Sequence, residues 1–437
     1  MTTISRRDFG RLLALSGTAA LMPARAFGQR DFSLDEFGLT DAPLPRTPAE
    51  PDEKFWKDVR KRFLLAPDLA FLNAANLCPM SLPVADAINN NTRLYEAGPT
   101  PKVRDGLMAQ REVARKMLAE AMHVTPEEIV LTRNTTEGNN FVSSGLHLGP
   151  GDEVVVSSDN HPSNLNAWRQ KAARFGFTVI TVQAPLKHLG TDGYVNSFVS
   201  VFTPKTKVLA ITHVSSNSGD LLPVNAICKA AREHNVLSLI DGAQSFGVLN
   251  INLAEMKPDF YTGSFHKWPC GPKEKGVFYV NAAIQDRISP SVYGVYGGAV
   301  GISKTFEAEG QRDDAAIAAV VEALKFQEQI GRAVVETRVR ALAKHLMTEV
   351  SKLDGVTLFT DNDADCSAAI VVFKPGTLDP AKLGTALTER DKIITTVHAA
   401  RATEPRPGLR VAPHFFNTMD EIDRTVGAIK RYIASGV

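Results

Sequence analysis

Lys267 sits in company that suits chemistry better than solvation. The run Ser264-Phe265-His266-Lys267-Trp268, followed by Gly271-Pro272, sets a hydroxyl, an imidazole and two large aromatic rings within three positions of one amine. A lysine that forms an imine with an aldehyde cofactor needs a turn to present it and polar donors close by. A loop lysine on its own is more often a solvated charge.

Upstream, Leu239-Ile240-Asp241-Gly242-Ala243-Gln244-Ser245 places a carboxylate at the end of an apolar strand. In open α/β sheets, ligands bind beyond the carboxyl ends of strands. A carboxylate there could pair with the pyridinium nitrogen of pyridoxal 5'-phosphate (PLP), keeping it protonated so that the ring accepts electrons from a carbanion. Asp241 alone reads equally as a turn or capping residue. With Lys267 downstream, the pair points to PLP.

Three further segments could complete such a site. Thr132-Arg133-Asn134-Thr135-Thr136-Glu137 lies where a strand gives way to a helix. The Thr135 and Thr136 hydroxyls and the free N–H groups of a helix start make a phosphate cup, or simply a cap. Asn160-His161-Pro162-Ser163-Asn164 carries an imidazole that could stack on a cofactor ring and move protons, although a lone histidine is more often structural. Gly408-Leu409-Arg410-Val411 offers a guanidinium fork for a substrate carboxylate, or an ordinary surface ion-pair partner. Arg401 and Arg406 could serve a substrate side chain, but solvation is the simpler reading.

The elements that must position these residues alternate. Short β-branched or aliphatic runs at Ile129–Thr132, Glu153–Ser157, Thr178–Val182, Val208–Thr212 and Leu237–Ile240 are separated by helical patterns such as Asn164–Phe175 and Val224–His234. That rhythm predicts a mainly parallel sheet covered on both faces. A long helical stretch over Ala315–Leu353, broken near Gly331, leads to a strand at Ala368–Phe373, a helix at Asp379–Arg390, a short strand at Leu409–Val411 and a helix at Met419–Ala434. This reads as a second α+β lobe.

The chain has 437 residues, 44% hydrophobic and 22% charged, with a formal net charge of +1. It is long enough for a large core and a second lobe, and it lacks the basic excess of a nucleic-acid binder. Cys78, Cys228, Cys270 and Cys366 are scattered, with no C-x-x-C pair, so no metal site is expected and most should be inert buried thiols. At the N-terminus, Ser5-Arg6-Arg7-Asp8-Phe9, an apolar stretch from Leu12 to Met22 and Ala24-Arg25-Ala26 read as a twin-arginine signal peptide over residues 1–26. The expectation is a periplasmic or otherwise exported protein, folded around its cofactor before the export machinery carries it. Residues 27–70 read as an N-terminal arm, 71–305 as a large PLP-binding domain and 306–437 as a smaller C-terminal domain.

In order, these segments resemble the class V aminotransferase family, which also contains cysteine desulfurases and isopenicillin N epimerase. Phe71-Leu72-Asn73-Ala74-Ala75-Asn76 is similar to its opening motif. The resemblance implies a phosphate loop at Thr135 and Thr136 and a ring-stacking His161. It implies Asp241 on the pyridine nitrogen, Gln244 near the ring hydroxyl, and Ser264, His266 and Lys267 on the phosphate and Schiff-base turn. Arg410 would then bind the substrate carboxylate. It also implies a fold-type I α/β architecture, with a mostly parallel seven-stranded sheet in the large domain and a smaller C-terminal α+β domain. The assembly implied is a homodimer with sites at the subunit interface.

The departures are specific. The glycine-rich stretch after the lysine turn reads Gly271-Pro272-Lys273-Glu274-Lys275-Gly276, with one expected small residue charged, Gln311 stands where the family usually shows a threonine that would reach the neighbouring subunit's phosphate, and Ser216 stands where desulfurases carry asparagine. Desulfurases need a cysteine shortly before the carboxylate-binding arginine, and Thr395–Pro407 contains none. The reading is therefore a PLP enzyme acting at the α-carbon or amino group of an amino acid or peptide-derived small molecule. An aminotransferase-type reaction leads, with epimerase or lyase chemistry as the alternative. A non-catalytic PLP-binding protein fits less well, because both Lys267 and Asp241 are present.

Overall fold

The computed structural model describes residues 44–398 and 407–437. The N-terminal signal reading, the start of the arm, and Arg401 and Arg406 lie outside the described residues. Within the segment read as an arm, Glu53–Arg60 (α1) is a helix, capped by the Asp52 carboxylate, which accepts from Phe55 N.

Ala70–Phe71 (β1) pairs in parallel with Ile393–Ile394 of the C-terminal part, rather than with the main sheet. The helices Leu82–Ala97 (α2) and Pro101–Met122 (α3) follow, and then the main sheet begins. Its strands are Ile129–Thr132 (β2), Glu153–Ser157 (β3), Thr178–Val182 (β4), Thr206–Thr212 (β5), Leu237–Asp241 (β6), Phe260–Ser264 (β7) and Gly276–Val280 (β8). They lie in the order β2-β8-β7-β6-β5-β3-β4. From β4 through β7 all neighbours are parallel, and only β8 runs antiparallel to both of its partners. Runs such as Val154–Val156 and Leu237–Ile240 are buried throughout, as a sheet covered on both faces requires.

The expected mainly parallel α/β sheet is therefore present, and the seven strands match the architecture that the resemblance implied. The helical stretch after residue 313 is divided into Asp314–Ala318, Val320–Ile330 and Arg332–Val350, with the last break at Gly331, whose φ of +97° ends a helix. A second sheet holds Thr357–Leu358 (β9), Val371–Lys374 (β10), Thr396–His398 (β12) and Gly408–Val411 (β13), with Ile393–Ile394 as β11 between them in sequence. The C-terminal helix, Met419–Ser435, starts on a capping box made by Thr418 and Glu421. Among the described residues, no helix is long and apolar enough to cross a membrane.

Candidate active site

The helix Thr135–Gly145 (α4) begins just beyond the end of β2 at Thr132. The Asn134 side chain caps it by accepting from Glu137 N at 3.0 Å, which leaves Thr135 and Thr136 at the helix mouth. Gly138 lets this helix lie against β7: a Cβ there would come within 2.7 Å of the Thr262 methyl. The close approach brings Ser264, at the end of β7, up to the helix start. Its Oγ accepts from Thr135 N at 2.9 Å and lies 2.8 Å from Thr135 Oγ1. The Thr135 and Ser264 hydroxyls thus meet at the helix start, where the sequence left a phosphate cup or a simple cap open.

At the neighbouring strand end, Asp241 is buried and its two oxygens are held separately. Oδ2 accepts from Asn139 Nδ2 at 2.8 Å and from Asn164 Nδ2 at 3.4 Å, while Oδ1 accepts from Ala243 N at 3.1 Å. Asn139 and Asn164 were missed by sequence reasoning. Asn139 lies one helical turn after Thr135, on the same face of α4, and that spacing was the available signal.

The lysine turn is fastened at several points. Phe265 N donates to Lys275 O at 2.8 Å, Cys270 N to Lys267 O at 3.0 Å, and Cys78 N to His266 O at 2.7 Å. Trp268 is fully buried and donates from Nε1 to Gln244 Oε1 at 2.9 Å, while Gln244 Nε2 donates to Ala75 O at 2.9 Å. Gln244 thereby joins the lysine turn to the opening motif.

One cavity of about 240 Å³ gathers Thr135, Thr136, His161, Asp241, Gln244, Ser264, His266 and Lys267, together with Asn76, Thr212 and Ser216. Arg410 is not on its wall. It sits on β13, buried, donating from Nη1 to the Ser216 carbonyl at 3.1 Å, with Nε unpartnered. It therefore stands one residue behind the cavity wall. His161 caps the helix Pro162–Phe175, its Nδ1 2.7 Å from Ser163 Oγ, and is otherwise exposed at the cavity mouth. Gln311 is exposed, 3.4 Å from Arg104 Nη2 of its own chain, and is not part of this cavity wall.

The electrostatics favour a reactive amine. Burial pushes the Lys267 ammonium down to about 8; the Asp241 carboxylate opposes this and the Arg410 guanidinium adds to it. Burial also holds His266 neutral, down to about 4, helped by the charges of Lys267 and Lys273. Burial lowers Arg410 to about 10.

These residues fit PLP at each of its three ends. Thr135, Thr136, Ser264 and His266 can take the phosphate, Asp241 the protonated ring nitrogen, and Lys267 the aldehyde. Bound there, PLP supplies an electron sink for charge that develops at a substrate α-carbon.

The family description Aminotransferase class-V matches residues 79–425. The chain is 31% identical over 396 residues to isopenicillin N epimerase of Amycolatopsis lactamdurans, covering 86% of this chain and 98% of that protein. It is 27% identical over 389 residues to a probable cysteine desulfurase of Halalkalibacterium halodurans, covering 83% and 93%. Among solved structures, the protein C-DES with glycine covalently linked to its PLP cofactor gives a TM-score of 0.79 at 22% identity, over 87% of this chain and 99% of that one. At that identity the likeness is of fold. With the family description spanning most of the chain, and with a fold and cavity to match, this protein belongs to the class V aminotransferase family and is a PLP-dependent enzyme.

Proposed function

We propose that the enzyme acts at the α-carbon of an amino acid or peptide-derived amine, with an aminotransferase-type outcome. The observation that carries this reading is Lys267: an amine lowered to about 8, on the wall of a cavity that also holds the Asp241 carboxylate. An amine so tuned can remove and return an α-proton near neutral pH. Arg410, behind Ser216, is the cation that would orient a substrate carboxylate. Desulfuration is disfavoured because the stretch before Arg410 has no cysteine to carry a sulfur atom. A second reading, epimerisation, is favoured by the 31% identity to isopenicillin N epimerase over nearly the whole of that protein. It needs a second proton donor opposite Lys267, and His161 at the cavity mouth is the candidate.

Proton NMR in heavy water, with a panel of amino acids and no keto-acid acceptor, separates the two. Exchange of the α-proton with one stoichiometric turnover that leaves the cofactor aminated supports aminotransfer. Exchange with inversion, leaving the cofactor unchanged, establishes epimerisation. No exchange with any substrate overturns both.

Three further parts of the reading are proposals of the same standing. The residue 1–26 segment directs export by the twin-arginine route, supported by Arg6-Arg7 before an apolar stretch. The division near residue 305 into a large and a smaller domain is supported by the separate seven- and four-stranded sheets. A homodimer is supported by the exposed apolar run containing Val292, Tyr293, Val295 and Tyr296, with Tyr293 79% exposed.

A further inference from the structure

Beneath the Lys267 turn, three side chains with no place on the cofactor cavity wall converge. One ligand-capable atom each from Cys78, Cys270 and His414 lies within 4.8 Å of the other two. All three residues are buried, at 1%, 1% and 0% exposure. They arrive from distant parts of the chain: the opening segment, the end of the lysine turn, and the loop after β13.

The histidine is the informative member. His414 Nε2 lies 2.6 Å from the Trp268 carbonyl oxygen, which can only accept, so the ring proton is on Nε2. Nδ1 is then a lone pair, and it is buried with no hydrogen-bond partner. Fixing one ring nitrogen on a carbonyl so that the other faces a metal is how protein sites orient imidazole ligands. The imidazole lies beside the two thiols, and a buried acceptor left without a partner is otherwise unfavourable.

We propose that Cys78, Cys270 and His414 bind one thiophilic closed-shell cation, Zn²⁺ or Cu⁺. Two sulfurs and one imidazole nitrogen are a donor set for soft or borderline cations and a poor one for Mg²⁺ or Ca²⁺. Binding releases the two thiol protons and forms two metal–thiolate bonds. Zn²⁺ would leave the site neutral with one tetrahedral position open, whereas Cu⁺ would be three-coordinate with one net negative charge. No electron transfer is involved. Because the ligands are buried, loading accompanies folding. The ion would pin the lysine turn both to the opening segment and to the loop that follows Arg410.

The sequence expectation of no metal, drawn from the absence of C-x-x-C spacing, could not register ligands separated by 192 and 144 positions. Those separations follow from the residue numbers 78, 270 and 414.

The test is the metal content of the purified holoenzyme, from cells grown with added zinc or with added copper. About one equivalent per chain of one metal is expected, lost in Cys270→Ser and His414→Ala and kept in Cys366→Ser. Zinc or copper at that level identifies the ion. X-ray absorption at the edge of the bound metal, on the unmutated protein, should show two sulfur neighbours and one nitrogen. That reading stands even if a variant fails to fold. Three results overturn the proposal: neither metal above trace level under either supplement, full metal retained in Cys270→Ser, or an intact mass two hydrogens light that maps to a Cys78–Cys270 disulfide.

Discussion

Asn139 Nδ2 donates to Asp241 Oδ2 across 2.8 Å, joining residues 102 positions apart. The bond fixes which way the carboxylate faces, and Thr262 Oγ1 in turn donates to Asn139 Oδ1 at 3.2 Å. Asn139→Ala leaves a buried carboxylate short of a donor. The expected cost is about 1–3 kcal/mol of stability, read from urea unfolding, together with a shifted absorbance of the bound cofactor. An unfolding midpoint and spectrum equal to the parent's would show that Asn164 and Ala243 suffice.

The neutral amine of Lys267 is the form that attacks an aldehyde, so rebinding of PLP to cofactor-free protein should speed up with pH through about 8, rather than near the ordinary lysine value of 10.5. In Asp241→Asn the upward pull of the carboxylate is gone, and the midpoint should move below that of the parent. Lys267→Ala should bind no cofactor covalently. Stopped-flow absorbance against pH checks all three. The linked stability effect has a definite sign. As pH falls from 10.5 to about 8, the unfolded chain takes the Lys267 proton before the folded one does. This group's contribution is therefore present above that window and lost across it.

Arg410→Lys keeps the charge but loses the planar fork. A loss of about 1.5–3 kcal/mol, roughly 10- to 150-fold in kcat/KM, is expected for carboxylate substrates. It should fall mainly on KM, with the cofactor spectrum unchanged. An unaltered KM would reassign Arg410 to holding the Ser216 carbonyl.

Glu307 is a structural counterpart to the site. It is fully buried, accepts from Arg115 Nη1 at 2.5 Å and Nη2 at 3.0 Å, and accepts from Leu131 N at 2.6 Å, one residue before the end of β2. Glu307→Gln leaves the buried Arg115 guanidinium with Glu112 as its remaining carboxylate partner, and a loss of about 3–5 kcal/mol is expected. Differential scanning calorimetry measures it, and a change below 1 kcal/mol would mean that Glu112 compensates.

Tyr293 is the most exposed of the large apolar side chains in the run that contains Val292, Val295 and Tyr296. Tyr293→Asp should shift the protein from dimer to monomer in sedimentation velocity, if that face is where two copies meet. A parent that is already monomeric removes the homodimer from the account.

Periodicity and order were legible in the sequence. The buried strands Glu153–Ser157 and Leu237–Asp241 read as apolar runs, and the break at Gly331 read from one residue that tolerates positive φ. Lys267, Asp241, Ser264 and Thr135 carried local signals: Asp241 and Ser264 end strands, Thr135 starts a helix and Lys267 lies on the turn after β7, where α/β sheets present side chains to ligands. Partners chosen by packing were not legible. Gln244 bridging Trp268 and Ala75, and Arg410 standing behind Ser216, depend on which loops meet.

By itself, then, the sequence determined the family and the alternation that builds the main sheet, and it singled out residues that the fold gathers on one cavity wall. These are encoded in spacing along the chain, and spacing survives without coordinates. Only the tertiary structure decided that β1 joins the C-terminal strands, that Asn139 and Asn164 orient Asp241, and that Cys78, Cys270 and His414 share one buried point. Such contacts arise when segments over a hundred residues apart are closed against one another, and no local pattern specifies which side chains then face each other.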